Sequence, residues 1–138
     1  MKPQYTMKPQ YIVPLAVAAG FGLGAVAVEG VHAQAKPPVY YISEIDVANP
    51  VAYANEYLPK AQAIIKAAGG RYLAAGGAAS GAKVIAIEGE PPKRVVVQVW
   101  DSIEKIQAWR TNPEYKELRK IGDKYAKFRS FAVEGSAQ

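Results

Sequence analysis

Two polar side chains interrupt apolar, strand-like segments of this sequence and could take part in chemistry. Glu44 lies within VYYISEIDV, residues 39–47, and Gln98 lies within RVVVQVW, residues 94–100. Burying such a group costs roughly 1 to 3 kcal/mol unless it is hydrogen-bonded. Each is therefore either satisfied by a hydrogen bond or exposed at a strand end, or it is functional. In the functional interpretation Glu44 is a general base with a raised pKa and Gln98 orients a ligand.

Aromatic and arginine side chains form the second group of candidates. Aromatic residues supply the bulk of a small core, but they could also line a pocket between helices and a sheet. We expect Trp109 and Tyr115, which flank a break between two predicted helices, at the rim of such a pocket. An arginine could hold an anionic group, although most exposed arginines are only solvated. The predicted ligand-binding residues are Tyr53, Arg71, Tyr72, Gln98, Trp100, Trp109, Tyr115 and Arg119.

Two glycine pairs stand in the stretch GGRYLAAGG, residues 69–77. A phosphate-binding loop needs glycine N–H groups at the start of a helix, usually with Lys and Ser or Thr following. Here the first pair follows a predicted helix and the second follows a predicted strand. The stretch therefore indicates a helix end and a strand bend rather than a phosphate site.

The N-terminus has the order of segments typical of an export signal. Residues 1–11 contain Lys2 and Lys8 without an acidic residue, residues 12–28 are an uncharged run, and the small-residue sequence AQA ends at residue 35. This order predicts a cleaved signal over residues 1–35, a domain over residues 36–138, and a periplasmic or secreted location. A membrane anchor is the competing interpretation, and it is the only membrane contact we expect.

Composition excludes several kinds of chemistry. The chain has no cysteine, and its single histidine, His32, falls in the predicted signal. Thiolate chemistry, Ser-His-Asp catalysis, and haem or zinc held by histidine are therefore not expected. We predict no metal and no cofactor, so that catalysis would depend on Tyr, Lys, Arg or carboxylates. The net charge of +5 comes from interleaved basic and acidic residues and does not indicate nucleic-acid binding.

The first half of the domain predicts a strand followed by a long helix. Residues 39–47 are rich in β-branched and aromatic residues. Asn49 and Pro50 suit a helix start, Gly69 and Gly70 a helix end, and Pro59 should bend the helix between them. Apolar residues recur at steps of three and four, with Tyr53 and Tyr57 beside the stripe that they form: Val51, Ala54, Leu58, Ala61, Ile65 and Ala68.

The second half predicts three more strands and two helices. Asp101 to Glu104 has the spacing of a capping box with Asp as the cap, and Asn112 and Pro113 repeat the helix-start pattern. The predicted elements are a strand over residues 71–76 that resumes over 84–88, a strand over 94–100, a helix ending at Arg110, a helix after Pro113, and a strand over 130–134.

This order of elements predicts an α+β fold. Two helices crossing one face of an antiparallel sheet make a ferredoxin-like βαββαβ sandwich. The other face of the sheet is then bare, although residues 94–100 are apolar on both sides. We expect a second copy of the chain to cover that face, which makes the protein a homodimer.

The domain resembles the bacterial family named domain of unknown function 1330 over residues 40–135. The shared features are an ordered set of short motifs: Asn49-Pro50 with Tyr53, Gly69-Gly70-Arg71-Tyr72, Gly76-Gly77, Glu88-Gly89, residues 94–100, Trp109, Asn112-Pro113-Glu114-Tyr115 and Leu118-Arg119. The resemblance implies the dimeric α+β barrel arrangement, in which two ferredoxin-like sheets face each other. One departure is Ala75, since the family usually has an arginine before the second glycine pair. An anion-binding role of that arginine would here need Arg71 or Lys83.

The resemblance implies no particular reaction, because the wider structural relatives include cofactor-free monooxygenases, dehydratases, haem-handling proteins and binding modules. Our leading hypothesis is an exported homodimer that binds a small apolar or aromatic ligand without metal. The alternatives are a cofactor-independent monooxygenase or isomerase, in which Glu44 or a tyrosine moves the proton, and a structural or stress-associated envelope protein. The first two predict a ligand-sized cavity, and the third predicts a filled core.

Overall fold

A computed structural model describes residues 36–136 of the 138-residue chain. The predicted signal over residues 1–35, with His32, lies outside the described residues. Helix α1 is continuous through an α-helical start at Pro50–Ala52, a π-helical turn at Tyr53–Tyr57 and an α-helical body at Leu58–Ala68. The other elements are β1 (Val39–Val47), β2 (Arg71–Gly77), β3 (Arg94–Trp100), α2 (Ile103–Thr111), α3 (Pro113–Asp123) and β4 (Ala126–Glu134).

The four strands form one antiparallel sheet in the order β2-β3-β1-β4. Strand β1 is central, and its Ser43 lies opposite Val96 of β3 and Ser130 of β4. With helices in the two crossover connections, this order is the ferredoxin-like βαββαβ arrangement that the sequence predicts. The α+β fold class is thereby confirmed.

The π-helical turn in α1 follows from Pro59. A proline has no N–H to donate and its ring crowds the carbonyl four residues earlier, so a regular α-helix cannot continue through it. The backbone N–H of Leu58 instead donates to the carbonyl of Tyr53, five residues back. Because of this extra residue, the predicted apolar stripe is wrong in part. Val51 is exposed, and the buried residues of α1 are Tyr53, Tyr57, Ala61 and Ile65.

The ends of the helices are largely where the sequence predicts them. Asn49 and Asn112 cap α1 and α3, with their side chains accepting from the N–H groups of Ala52 and Glu114. Gly69 ends α1 with φ of 106°. The predicted cap at Asp101 is wrong, because Ser102 is the cap of α2 and accepts from the N–H of Lys105.

Two of the predicted strands differ in the structure. Residues 84–88 are not a strand but part of the long connection between β2 and β3, and Ile85 and Ile87 there are 75% and 93% exposed. Their β-branched side chains favour a strand only where a neighbouring strand is available. Strand β4 is longer than predicted and begins at Ala126, because it pairs with the whole of β1.

The sheet has two different faces. The face toward the helices carries alternate residues of the central strands, including Tyr41, Ser43 and Ile45 of β1 and Gln98 and Trp100 of β3, all of them buried. We call the other side the open face. It carries Tyr40, Ile42, Glu44 and Asp46 of β1, Val95, Val97 and Val99 of β3, and Arg129, Phe131 and Val133 of β4.

Gly70 provides the space for the most deeply buried side chain of the sheet. A Cβ atom at Gly70 would lie 2.7 Å from Cε2 of Trp100 and 2.8 Å from Cγ2 of Ile65. Since Trp100 is fully buried and cannot move aside, we predict that Gly70→Ala lowers the free energy of unfolding by about 1 to 3 kcal/mol in urea titration. Gly81→Ala is the matched control, because a Cβ there meets no described atom within 4 Å. Equal stability of the two variants would contradict this packing.

Candidate functional site

A cavity of about 30 Å³ lies between α1, α3 and the inner face of the sheet. Its lining is mainly aromatic but carries many polar atoms, and we call this group of residues the interior site. The polar members are Tyr41, Ser43, Tyr53, Tyr57, Tyr72, Gln98, Trp109 and Tyr115. They come from β1, α1, β2, β3, α2 and α3, so every element except β4 contributes at least one.

Hydrogen bonds fix several of these side chains. The hydroxyl groups of Tyr57 and Tyr115 are 3.0 Å apart, which ties α1 to α3. Gln98 Oε1 accepts from Trp100 Nε1 at 2.9 Å. Because the indole nitrogen can only donate, this bond also assigns the amide orientation of Gln98.

Trp109 is the centre of an aromatic stack. Its ring is stacked on Trp100 at 5.1 Å between centroids, meets the edge of Tyr41 at 5.1 Å, and lies 4.7 Å from Tyr115. Its side chain is buried, and its indole nitrogen has no hydrogen-bond partner among the described residues. A buried donor without a partner is costly, so this nitrogen is a feature that packing alone does not explain.

Arg94 is an interior residue that the sequence analysis did not single out. It is 1% exposed, and its guanidinium carbon lies 5.7 Å from the ring centroid of Tyr53. Its Nη1 donates to the carbonyl of Ala78 at 3.0 Å, and its Nε has no partner within residues 36–136. The signal in the sequence is its spacing, since Arg94 precedes Gln98 by four strand positions and so shares its face.

Burial raises the pKa of the phenols of Tyr53, Tyr57 and Tyr72 above the ordinary value of 10.0. The neighbouring Tyr115 raises the pKa of Tyr57 further, whereas the Arg94 guanidinium opposes the rise in the pKa of Tyr53. These phenols are therefore neutral at physiological pH. They can donate a hydrogen bond to a ligand, but they are poor general bases.

The structure brings six of the predicted site residues together and leaves three apart from them. Tyr53, Tyr72, Gln98, Trp109 and Tyr115 line the cavity, and Trp100 stacks behind Trp109. Glu44 lies on the open face, with its carboxylate 3.4 Å from Nη1 of Arg129. Arg71 is exposed at the start of β2, and Arg119 packs over the ring of Phe128 at 3.7 Å while its Nε donates to Asp123 at 2.9 Å.

Two further features bear on the kind of site. Within residues 36–136, no three side chains of His, Asp or Glu come close enough together to hold a metal ion. In the same part of the chain, no helix is both long and apolar enough to cross a membrane.

The strand order and the helix-covered aromatic interior define the class of the protein as a ferredoxin-like α+β domain. The family model for the domain of unknown function DUF1330 matches residues 38–136. The chain therefore belongs to this family, as its motifs indicate. No curated protein has significant sequence similarity to the chain.

Solved structures show the same fold. SnoaB, a cofactor-independent oxygenase from Streptomyces nogalater, superposes with a TM-score of 0.54 at 9% identity, covering 74% of this chain and 96% of SnoaB. The methylated RPA0582 protein, from Rhodopseudomonas palustris, superposes with a TM-score of 0.52 at 14% identity, covering 81% of this chain and 91% of RPA0582. At these identities the likeness concerns the fold alone.

The buried phenols predict a particular dependence of stability on pH. The folded protein keeps their protons above pH 10, whereas the unfolded chain releases them near that value. The free energy of unfolding should therefore stay level up to about pH 10 and then fall, by up to about 1.4 kcal/mol per pH unit for each such tyrosine.

Urea unfolding between pH 8 and 11.5 measures this slope, and Tyr57→Phe should make the slope less steep. Absorbance titration of the folded protein provides the check. If every tyrosine ionised near pH 10 while the protein stayed folded, the interior phenols would not be shielded as described.

Proposed function

We propose that the protein is an exported homodimer that binds a small aromatic molecule in its interior site, without a metal ion. The observation that supports this function is the polar character of the interior. Eight side chains with polar atoms line a cavity between the helices and the sheet, and they include a buried indole nitrogen without a partner in the described chain. A core that served stability alone would be better filled with apolar side chains.

The π-helical turn supports the same proposal. Such turns are uncommon and occur frequently at functional sites. Here the turn directs both Tyr53 and Tyr57 into the interior, where their rings lie 5.2 Å apart. Their aromatic faces and hydroxyl groups suit a planar ligand with polar substituents.

Binding requires the interior site to open. Its 30 Å³ holds a water-sized molecule, whereas pockets for small organic ligands enclose roughly 300 to 1,000 Å³. Phe128 lines the cavity but is only partly buried, and Arg119 covers its ring. We propose this side, between α3 and β4, as the entrance.

Two alternatives remain in competition with binding. The likeness to SnoaB favours a cofactor-independent oxygenase as the second candidate, with the interior phenols donating hydrogen bonds rather than removing protons. The small cavity favours a structural envelope protein.

The substitution Glu44→Gln tests whether the Glu44 carboxylate acts as a general base. Lost turnover with retained ligand binding favours an enzyme, and unchanged turnover and binding remove Glu44 from consideration.

The open face supports the proposed dimer. Cross-strand pairs of large apolar residues lie on it, with Tyr40 opposite Val133 and Ile42 opposite Phe131. Phe131 and Val133 are 44% and 50% exposed. A sheet face of this composition is expected to pack against a second copy. The proposal that the protein is exported rests on the sequence pattern of residues 1–35.

Native mass spectrometry of the protein purified from its own host tests ligand, subunit number and export together. We expect a dimer in which each subunit lacks the first 33 or 35 residues. Each subunit should also carry an added mass of a few hundred daltons, which is released on collisional activation. A monomer without added mass, which retains residue 32, would contradict all three parts of the proposal.

A substitution on the open face tests the dimer separately. Phe131→Asp places a charge in the proposed interface, so we expect a monomer in sedimentation velocity at concentrations where the wild type is a dimer. Val51→Asp is the matched control, since Val51 is 70% exposed in the first turn of α1. If Phe131→Asp remained a dimer with the wild-type dissociation constant, the open face would not be the interface.

A further inference from the structure

We infer that the interior site selects molecules that present a neutral carbonyl oxygen, so that its ligands are small aromatic ketones, aldehydes or quinones. This inference rests on the proposed binding function and narrows it. It follows from the balance of hydrogen-bond donors and acceptors around the cavity.

Trp109 supplies the first uncommitted donor. An indole nitrogen donates and never accepts. The side chain of Trp109 is 2% exposed, lines the cavity, and finds no acceptor for this nitrogen in residues 36–136. A ligand whose acceptor atom reaches this nitrogen would satisfy it.

Gln98 contributes hydrogen-bond donors, because its acceptor oxygen is already bonded to Trp100. Its side-chain oxygen already accepts from Trp100 Nε1 at 2.9 Å. That bond holds the amide in one orientation and leaves the NH₂ group, which carries two donors, as the free end. Gln98 is 3% exposed and lines the cavity.

The remaining polar groups of the lining do not remove this excess of hydrogen-bond donors over acceptors. The tyrosine hydroxyls can both donate and accept. Burial raises the pKa of Tyr53, Tyr57 and Tyr72, which keeps these three phenols protonated. The described residues that line the cavity include no Asp, Glu, His, Lys or Arg. A ligand that only donates would leave the indole N–H group unpaired. An anion would find no charged partner in the lining itself, since the buried guanidinium of Arg94 packs against the Tyr53 ring and is not part of the lining. A neutral oxygen acceptor satisfies the site.

Acetophenone and ethylbenzene form a matched pair of probes, since they have nearly the same shape and differ in the carbonyl group. Burial of apolar area alone favours ethylbenzene, so tighter binding of acetophenone must come from hydrogen bonding. We expect acetophenone to bind the full-length protein at least threefold more tightly. In Trp109→Phe the preference should fall by about 3- to 10-fold, the usual contribution of one neutral hydrogen bond. Tyr40→Phe is the control, and it should keep the preference because Tyr40 lies on the open face and does not line the cavity.

Proton–nitrogen correlation spectra give a second measurement on the wild-type protein. The chain has two tryptophans, so two indole signals are expected, and Trp109→Phe assigns them. Acetophenone should move the Trp109 indole proton downfield and leave the Trp100 signal, whose N–H is bonded to Gln98, nearly unchanged. Ethylbenzene should cause no downfield shift.

The outcomes separate this inference from the proposed function. If ethylbenzene binds in the interior as tightly as acetophenone, or if benzoate binds more tightly than either, the site binds aromatic molecules but does not select a neutral carbonyl. If none of the three probes perturbs either indole signal, both the inference and the interior binding function are overturned.

Discussion

The missing N–H of Pro59 is the constraint on which the interior of this protein depends. Because the helix cannot continue normally through the proline, one extra residue is accommodated in the π-helical turn Tyr53–Tyr57. A regular helix would place the predicted apolar stripe, with Val51, against the sheet. The widened turn instead places Tyr53 and Tyr57 there. The phenol pair of Tyr57 and Tyr115, and the contact of Tyr53 with Arg94, both follow from this local change.

The polar interior is made possible by small residues in the elements around it. A Cβ at Gly122 of α3 would lie 2.8 Å from the ring of Tyr57, so the glycine lets α1 and α3 approach closely enough for the Tyr57 and Tyr115 hydroxyls to meet. Gly70 does the same for Trp100, whose indole in turn holds Gln98. The donors around the cavity are thus held by backbone geometry as much as by hydrogen bonds.

The sequence predicts the order of elements well because local signals mark their ends. The Asn-Pro pairs at residues 49–50 and 112–113 and the glycine pair at 69–70 act through their own backbone geometry, and the structure confirms all three. The strand at 84–88 is wrong because β-propensity depends on a neighbouring strand, which no local pattern supplies. The aromatic residues that the sequence singles out lie together in the interior, since bulky side chains fill a small core. Glu44 lies away from the interior site and Arg94 is buried because of the face that each strand turns toward the helices. The register of the sheet determines that face, and no local sequence pattern reveals it.

The extended connection between β2 and β3 has a consequence for the solubility of the protein. Its VIAIE segment, with Ile85 and Ile87 in solvent, has the composition of segments that stack into intermolecular β-structure. Glu88 is the last residue of this segment, and the pair Pro91-Pro92 follows after Gly89 and Glu90. A carboxylate and two residues that cannot donate backbone hydrogen bonds interrupt such stacking. The carboxylate and the prolines therefore occupy the positions of gatekeeper residues, which oppose intermolecular strand pairing by this exposed apolar segment.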